Sequence, residues 1–339
     1  MIRAGVVGMG FIGQVHAKGY QATEGAQLVA VCDIDETKLK PASKAAGDIA
    51  GLDKPLDLTG VQLYTDFDTM VAEAKLDAVS VALPTPMHAD FTIKALEAGL
   101  GVLCEKPMAS NVKQCDQMIA TAQSTGKILQ IAHCIRFWPE YAKTKEIIDS
   151  GKYGNVKAAT FRRLGSPPTW SWDNWMMDSG KSGGALMDLH IHDSDYVQYL
   201  FGMPKAVYTR CTNGPSGDCD HIATQYLYDD NRVVTAEGSW LMAPSFGFEM
   251  SFVIVLEKAT IVFDNTRKPT FKVCPIDKDA FTPQVESEDG WSLQIAHFVK
   301  AVSGRKVPQI TTPTDSLNSL KLVLAERQSA QTGKEVAMQ

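Results

Sequence analysis

Through the first 130 or so residues, short apolar runs alternate with segments whose apolar positions recur every three or four residues. The runs are Ile2 to Val7, Gln27 to Cys32, Val61 to Tyr64, Ala78 to Leu83, Val102 to Cys104 and Ile128 to Ala132. Each is short enough for a strand. The segments between them are long enough for helices, and the one over Ala89 to Ala98 stops at Gly99, a residue suited to a helix C-terminal cap. Strands separated by helices predict βαβ units, hence a doubly wound parallel sheet of Rossmann type.

From about Asn155 the pattern changes. A strand-like run, Val156 to Arg162, leads into a loop rich in Trp and Pro, Ser166 to Asp173, and then into one helix. Long alternating runs follow. His221 to Tyr228 and Arg232 to Leu241 flank Asp229-Asp230-Asn231, a hairpin signature, and Phe248 to Leu256 and Thr260 to Phe263 flank Glu257-Lys258 in the same way. Helical patterns over Ser292 to Val302 and Asp315 to Gln331 close the chain. This half predicts an α+β domain with a large, mostly antiparallel open sheet. The expected division is residues 1–134 for the first domain and 135–339 for the second.

Length and composition agree with two cores: 339 residues, 45% hydrophobic and 21% charged. A net charge of −6 argues against a nucleic-acid partner, because phosphates are neutralised by clustered Lys and Arg. No apolar run reaches the roughly 20 residues that cross a bilayer, so no membrane partner is expected. The N-terminal residues enter a strand without a charged-then-apolar leader, and the seven cysteines are scattered with no C-x-x-C pair. The expected location is the cytoplasm, with Cys32, Cys104 and Cys134 reduced and acting as small hydrophobes.

Gly8-x-Gly10-x-x-Gly13 follows the first strand directly and opens a helix. The first Gly allows the tight turn, the second lets backbone approach a pyrophosphate, and the third lets helix pack on strand. The free N–H groups of the helix start then face the anion. Asp33 ends the second strand about 20 residues on, where a ribose-binding carboxylate belongs. It would repel a 2′-phosphate, and Ile34-Asp35-Glu36 adds negative charge without an Arg. NAD is therefore expected in preference to NADP.

Glu105-Lys106-Pro107 follows the fifth strand, at the end of an open α/β sheet where ligands bind. An ammonium there can polarise a substrate oxygen; the plainer reading is a surface Lys beside a turn. Further on, Leu186, Leu189, Tyr196, Val197 and Leu200 have helical spacing, which puts Asp188, His192 and Asp195 on one face. A carboxylate beside an imidazole suits His192 as a general base. The plainer reading is a helix start with buried polar residues. On a helix His190 and His192 lie about 200° apart and cannot easily chelate, so no metal is expected.

These motifs, in order, resemble the Gfo/Idh/MocA (glucose-fructose oxidoreductase/inositol dehydrogenase) family. The resemblance is carried by the Gly-rich turn with Phe11, Ile12 and His16, by Pro84-Thr85-Pro86-Met87-His88, and by Glu105-Lys106-Pro107. It continues through Arg136-Phe137-x-Pro139, Gly183-Gly184-x-x-x-Asp188-x-x-x-His192-x-x-Asp195, Thr312-Pro313-x-Asp315 and Thr332-Gly333-Lys334. It implies a dinucleotide-binding domain, a substrate-binding and oligomerisation domain, and hydride transfer from a sugar, inositol or other polyol to NAD. It also implies a catalytic trio: His192 takes the hydroxyl proton, Asp188 assists, and Lys106 steadies the same oxygen. Pro84, Thr85, His88 and Glu105 join Gly8, Gly10, Phe11, Ile12, Gly13, Asp33, Ile34 and Lys106 as expected cofactor-side residues. Arg136 and the aromatic Trp170, Trp172 and Trp175 are expected on the substrate side.

Two features depart from the pattern. Residues Ala46 to Gly60 resemble an insertion, and His190 stands where many relatives carry Gly. Apolar runs such as Phe252 to Leu256 predict a sheet face covered by a second subunit, hence a homo-oligomer, dimer or tetramer. Two other readings remain open: a redox-neutral, NAD-retaining enzyme of glycosidase type, and a non-catalytic dinucleotide-binding regulator. Free NADH formed from a polyol separates both from a dehydrogenase.

Overall fold

The computed structural model describes residues 1–40 and 56–338, so most of the inserted stretch lies outside the described residues. The elements in chain order are β1 (Ile2–Val7), α1 (Phe11–Ala22), β2 (Ala26–Cys32), β3 (Gln62–Tyr64), α2 (Phe67–Glu73), β4 (Ala78–Val81), α3 (His88–Glu97), β5 (Gly101–Cys104), α4 (Val112–Thr125) and β6 (Leu129–Ile131). Then come α5 (Pro139–Asp149), β7 (Val156–Leu164), α6 (Ser179–Ser182), α7 (Ile191–Phe201), β8 (Ala206–Asn213), β9 (Cys219–Leu227), β10 (Val233–Ser239), β11 (Glu249–Leu256), β12 (Ala259–Asp264), β13 (Phe271–Pro275), α8 (Gly290–Val302), α9 (Pro313–Thr332) and β14 (Val336–Ala337).

Two compact units form. The first comprises Met1–Phe137, Trp170–Asp173 and Glu288–Leu317; the second comprises Trp138–Thr169, Asn174–Ser287 and Asn318–Gln339. The division is therefore not a single cut near residue 134. Helix α8, expected with the second half, packs in the first unit, because Ile295 fills the space that Gly19 of α1 leaves open. Ile295, Phe298 and Val299 join the same core as Val6, Met9 and Leu103. Leu56 and Leu58, at the end of the inserted stretch, are buried in it too.

The first unit is built on a six-stranded sheet in the order β3-β2-β1-β4-β5-β6, with every pair parallel. This is the doubly wound order. All four residues of β4 and of β5 are buried, as expected of central strands covered on both faces. Helix α3 ends as its sequence implies, with Gly99 at φ +85°.

The second unit carries an eight-stranded sheet in the order β13-β12-β11-β7-β10-β9-β8-β14. Only β7 and β10 run parallel; the remaining pairs are antiparallel, and both expected hairpins, β9/β10 and β11/β12, are present. Phe161, Phe252 and Phe263 project from one face into an aromatic core with Tyr141 of α5 and Tyr196 of α7. The alternation on β11 is cleaner than expected: Phe252, Ile254 and Leu256 are buried, while Val253 and Val255 face out. The cysteines also depart from expectation. Cys211 of β8 and Cys219 of β9, on either side of an irregularity in the β8/β9 register, form a disulfide. Among the described residues, no helix is long and apolar enough to cross a membrane.

Candidate active site

The site of the first unit is assembled at the carboxyl ends of parallel strands. The Gly-rich turn leaves β1 with Gly8 at φ +88°, and a Cβ on Gly8 would lie 2.4 Å from the Ala82 carbonyl. A Cβ on Gly13 would fall 1.7 Å from the Gly8 carbonyl, so turn and helix touch backbone to backbone. At Gly10 a Cβ would meet nothing within 4 Å. Gly10 also begins α1 with no side chain capping the helix. The open glycine and uncapped N–H groups make a cradle that a side chain would fill, and its chemistry fits a dinucleotide pyrophosphate.

Asp33, at the end of β2, braces that turn. Its Oδ2 accepts the Met9 N–H at 2.7 Å and its Oδ1 accepts the Asp35 N–H at 2.9 Å. Lys38 Nζ stands 3.7 Å from Oδ2, a cation that the short run Ile34-Asp35-Glu36 did not reveal. Trp172 belongs to this neighbourhood. Its ring centroid lies 5.0 Å from Lys38 Nζ, and Trp170 meets Phe11 edge-on at 5.6 Å. Both tryptophans are expected on the substrate side; the segment Trp170–Asp173 joins the first unit, beside the Gly-rich turn and the end of β2. Trp175 falls in the second unit.

Glu105 closes a buried polar chain. The Tyr20 hydroxyl is 2.8 Å from Ser80 Oγ, Ser80 is 2.9 Å from His16 Nδ1, and His16 Nε2 is 3.0 Å from Glu105 Oε1. Glu105 Oε2 then accepts the Lys106 N–H at 3.1 Å. Burial alone would push the Glu105 carboxyl up, but the His16 hydrogen bond and charge, with Lys106, outweigh it and hold the carboxyl below its ordinary value. In the sequence His16 stands out only as part of the family motif. Its place in this chain follows from three elements meeting, β4, β5 and α1, which no local pattern shows.

His88 is 1% exposed, and its ring nitrogens lie 2.8 Å from the Pro107 carbonyl and 2.7 Å from the Leu83 carbonyl. Burial lowers its pKa, against the pull of those two carbonyls. His88, an expected cofactor-side residue, ties the Lys106-Pro107 turn to the end of β4. Thr85 is buried at the start of a short 3₁₀ turn that Pro84 opens, and Ile34 is exposed. Arg136, expected on the substrate side, is buried: its Nη1 donates to the Ile310 carbonyl at 2.7 Å and to Asp315 at 3.3 Å. Its guanidinium anchors the entry to α9, where Thr312 and Asp315 cap each other.

In the second unit, Gly183 and Gly184 both take positive φ, at +78° and +69°, to turn the chain out of α6. The Gly183 carbonyl accepts from Arg327 at 2.8 Å, and buried Asp220 accepts the Ala185 N–H at 3.4 Å. The expected helix then begins as a π-helical turn, Leu186–His190, before α7. Such turns recur at functional sites. Asp188 and His192 are half-buried on it. Asp195 lies deeper on the same helix: it is fully buried and accepts from Ser319 Oγ at 2.6 Å. Among the described residues, no three His, Cys, Asp or Glu side chains are grouped to hold one metal ion.

A two-domain dinucleotide-dependent oxidoreductase is the class this fold and glycine cradle define. Residues 2–133 match the oxidoreductase family with an NAD-binding Rossmann fold, and residues 141–262 match the GFO/IDH/MocA C-terminal domain. The chain belongs to the Gfo/Idh/MocA family. It is 26% identical to scyllo-inositol 2-dehydrogenase (NAD(+)) of Bacillus subtilis (strain 168), over 99% of this chain and 96% of that protein. It is 33% identical to 2,7-anhydro-N-acetylneuraminate hydratase of Mediterraneibacter gnavus, over 68% of this chain and 60% of that one. Among solved structures, scyllo-inositol dehydrogenase from Lactobacillus casei, with bound NAD(H) and scyllo-inositol, superposes with a TM-score of 0.79 at 22% identity, covering 99% of each chain.

Proposed function

We propose that the protein is an NAD-preferring dehydrogenase that oxidises a secondary hydroxyl of an inositol, sugar or related polyol. One observation carries the reading: the glycine cradle, Asp33 and the Glu105-Lys106 turn stand together at the carboxyl ends of β1, β2 and β5. The relatives named as inositol dehydrogenases support the substrate class. Asp33, with two fixed backbone bonds, presents its carboxylate to the adenosine ribose and disfavours a 2′-phosphate.

In this reading His192 accepts the substrate hydroxyl proton, and Asp188 stabilises the imidazolium that results. Lys106 hydrogen-bonds the same oxygen as its charge develops. The bound nicotinamide supplies the hydride acceptor. The chain Tyr20-Ser80-His16-Glu105 holds the backbone of Lys106 in register. Assembly into a homo-oligomer through the outer face of the large sheet belongs to the same proposal. There Val255, Ala158 and Val233 align across β11, β7 and β10, and Val253 and Tyr208 are exposed nearby. A cytoplasmic location completes it.

The test is NADH formation, followed by absorbance, when the protein is given NAD with scyllo-inositol, myo-inositol and a panel of hexoses and glycosides. The redox-neutral alternative has a counterpart in the relative named as a hydratase. It is distinguished by product formation from a sugar without accumulation of free NADH.

A further inference from the structure

We infer that His190 and Glu326 are a buried positioning pair, which sets the π-helical turn carrying Asp188 and thereby aims His192. The inference rests on the reading of His192 as the base. Both side chains are 0% exposed, and Nε2 of His190 lies 3.2 Å from Oε2 of Glu326, close enough for an ion pair although the two atoms do not meet in hydrogen-bond geometry. The imidazole packs against Gly238 of β10, where any Cβ would come within 2.7 Å of His190 Nδ1. That glycine makes the room. Glu326 Oε1 accepts from Ser194 Oγ at 2.9 Å, and Ser194 Oγ is 3.0 Å from the Tyr226 hydroxyl.

The neighbouring polar residues are tied down in the same manner. Asp193 receives Arg163 at 2.8 and 3.3 Å, and Asp195 receives Ser319. Residues 193, 194 and 195 are thus hydrogen-bonded to α9, β7 and β9 and the His190 ring sits against Glu326 of α9, all of them buried, whereas Asp188 and His192 are half-buried. A buried acid–imidazole pair is a poor way to gain stability, since desolvation cancels most of its attraction. A π-helical turn also needs outside support to persist in place of α-helix. The pair supplies that support one residue from α7 and two from each functional side chain.

The experiment compares Glu326→Gln, which keeps volume and removes the charge, with Glu326→Asp, which keeps the charge. The first readout needs no substrate: ¹⁵N spectra of the histidine rings in the NAD-bound protein across pH. In Glu326→Gln the His190 and His192 resonances should both move, and the titration of His192 with them. Those of His16, His88 and His297, in the first unit, should stay in place. The second readout is turnover of scyllo-inositol with NAD. In Glu326→Gln kcat should fall about tenfold while the dissociation constant for NAD is unchanged, with partial recovery in Glu326→Asp. An unmoved His192 resonance in Glu326→Gln overturns the inference, as does unaltered kcat. Should Glu326→Gln fail to fold, His190→Gln is read the same way. If the wild type turns over no polyol, the dehydrogenase reading fails, and the ring spectra still decide the positioning of His192.

Discussion

Replacing Asp33 by Ala separates two duties that the carboxylate performs. The first is internal: the N–H groups of Met9 and Asp35 lose their acceptor. Met9 is fully buried, whereas Asp35 is near solvent and water can replace the lost bond there. A hydrogen bond to a charged group contributes about 1.5–3 kcal/mol, so the loss is on the order of 2 kcal/mol. At roughly 2–4 °C per kcal/mol for domains of this size, Tm should drop by roughly 4–8 °C. The second duty is discrimination between cofactors. In the wild type NAD should bind at least about tenfold more tightly than NADP, or ~1.4 kcal/mol. In Asp33→Ala that preference should vanish or reverse, because the carboxylate that repels a 2′-phosphate is gone and Lys38, 3.7 Å from its position, attracts one. Calorimetric titration of both proteins with both cofactors measures the ratio, and thermal denaturation without cofactor measures the internal cost. Equal affinities in the wild type, or a ratio that survives in Asp33→Ala, would refute the reasoning.

Lys106→Ala should remain folded and bind NAD, with turnover lower by a factor on the order of 10² or more; near-normal turnover removes Lys106 from the chemistry. Gly13→Ala should abolish NAD binding in a titration, since its Cβ would sit 1.7 Å from the Gly8 carbonyl, and retained affinity would mean that the turn is not the cradle. Glu105 is held below its ordinary value of 4.5, so its contribution to stability is complete above that pH and is lost as the pH falls through the lower folded value. Thermal denaturation over about pH 3 to 6 should show a steeper acid decline for the wild type than for Glu105→Gln. Activity should survive exhaustive chelation, and stoichiometric zinc whose removal stops turnover would contradict a metal-free mechanism.

What the sequence reveals and what it hides divides along physical lines. The strands of the first sheet were visible because a strand buried on both faces must be apolar throughout, as β4 and β5 are. Glycines that admit backbone-to-backbone contact, Gly8 and Gly13, were visible because few other residues can replace them. The hairpins were visible because their turn residues interrupt two alternating runs. By contrast, the contacts of Trp172 and Arg136 are not legible in the sequence. An aromatic face and a positive charge suit a substrate and a framework equally. The return of Trp170–Asp173 to the first unit, and the approach of Ile310 and Asp315 to Arg136, depend on residues far along the chain.

The helix of the second unit shows the same limit in its sharpest form. Spacing of Leu186, Leu189, Tyr196 and Val197 correctly predicts a helix, yet it assumes 3.6 residues per turn throughout, and on that assumption Asp195 belongs with Asp188 and His192. A single wider turn at Leu186–His190 breaks the assumption for Asp188, while His192 and Asp195 both lie in the regular turns of α7. The residues packed around it lie far along the chain: Gly238 leaves space for the His190 ring, Glu326 stands 3.2 Å from that ring, and Asp220 accepts the Ala185 N–H. None of these three is within hydrogen-bonding reach of the helix by sequence spacing. His190, conspicuous beside His192, has its contacts with the interior, against Gly238 and Glu326. The half-buried position of Asp188 and His192 is the other side of the same fact, since the residues around them are occupied in holding the turn.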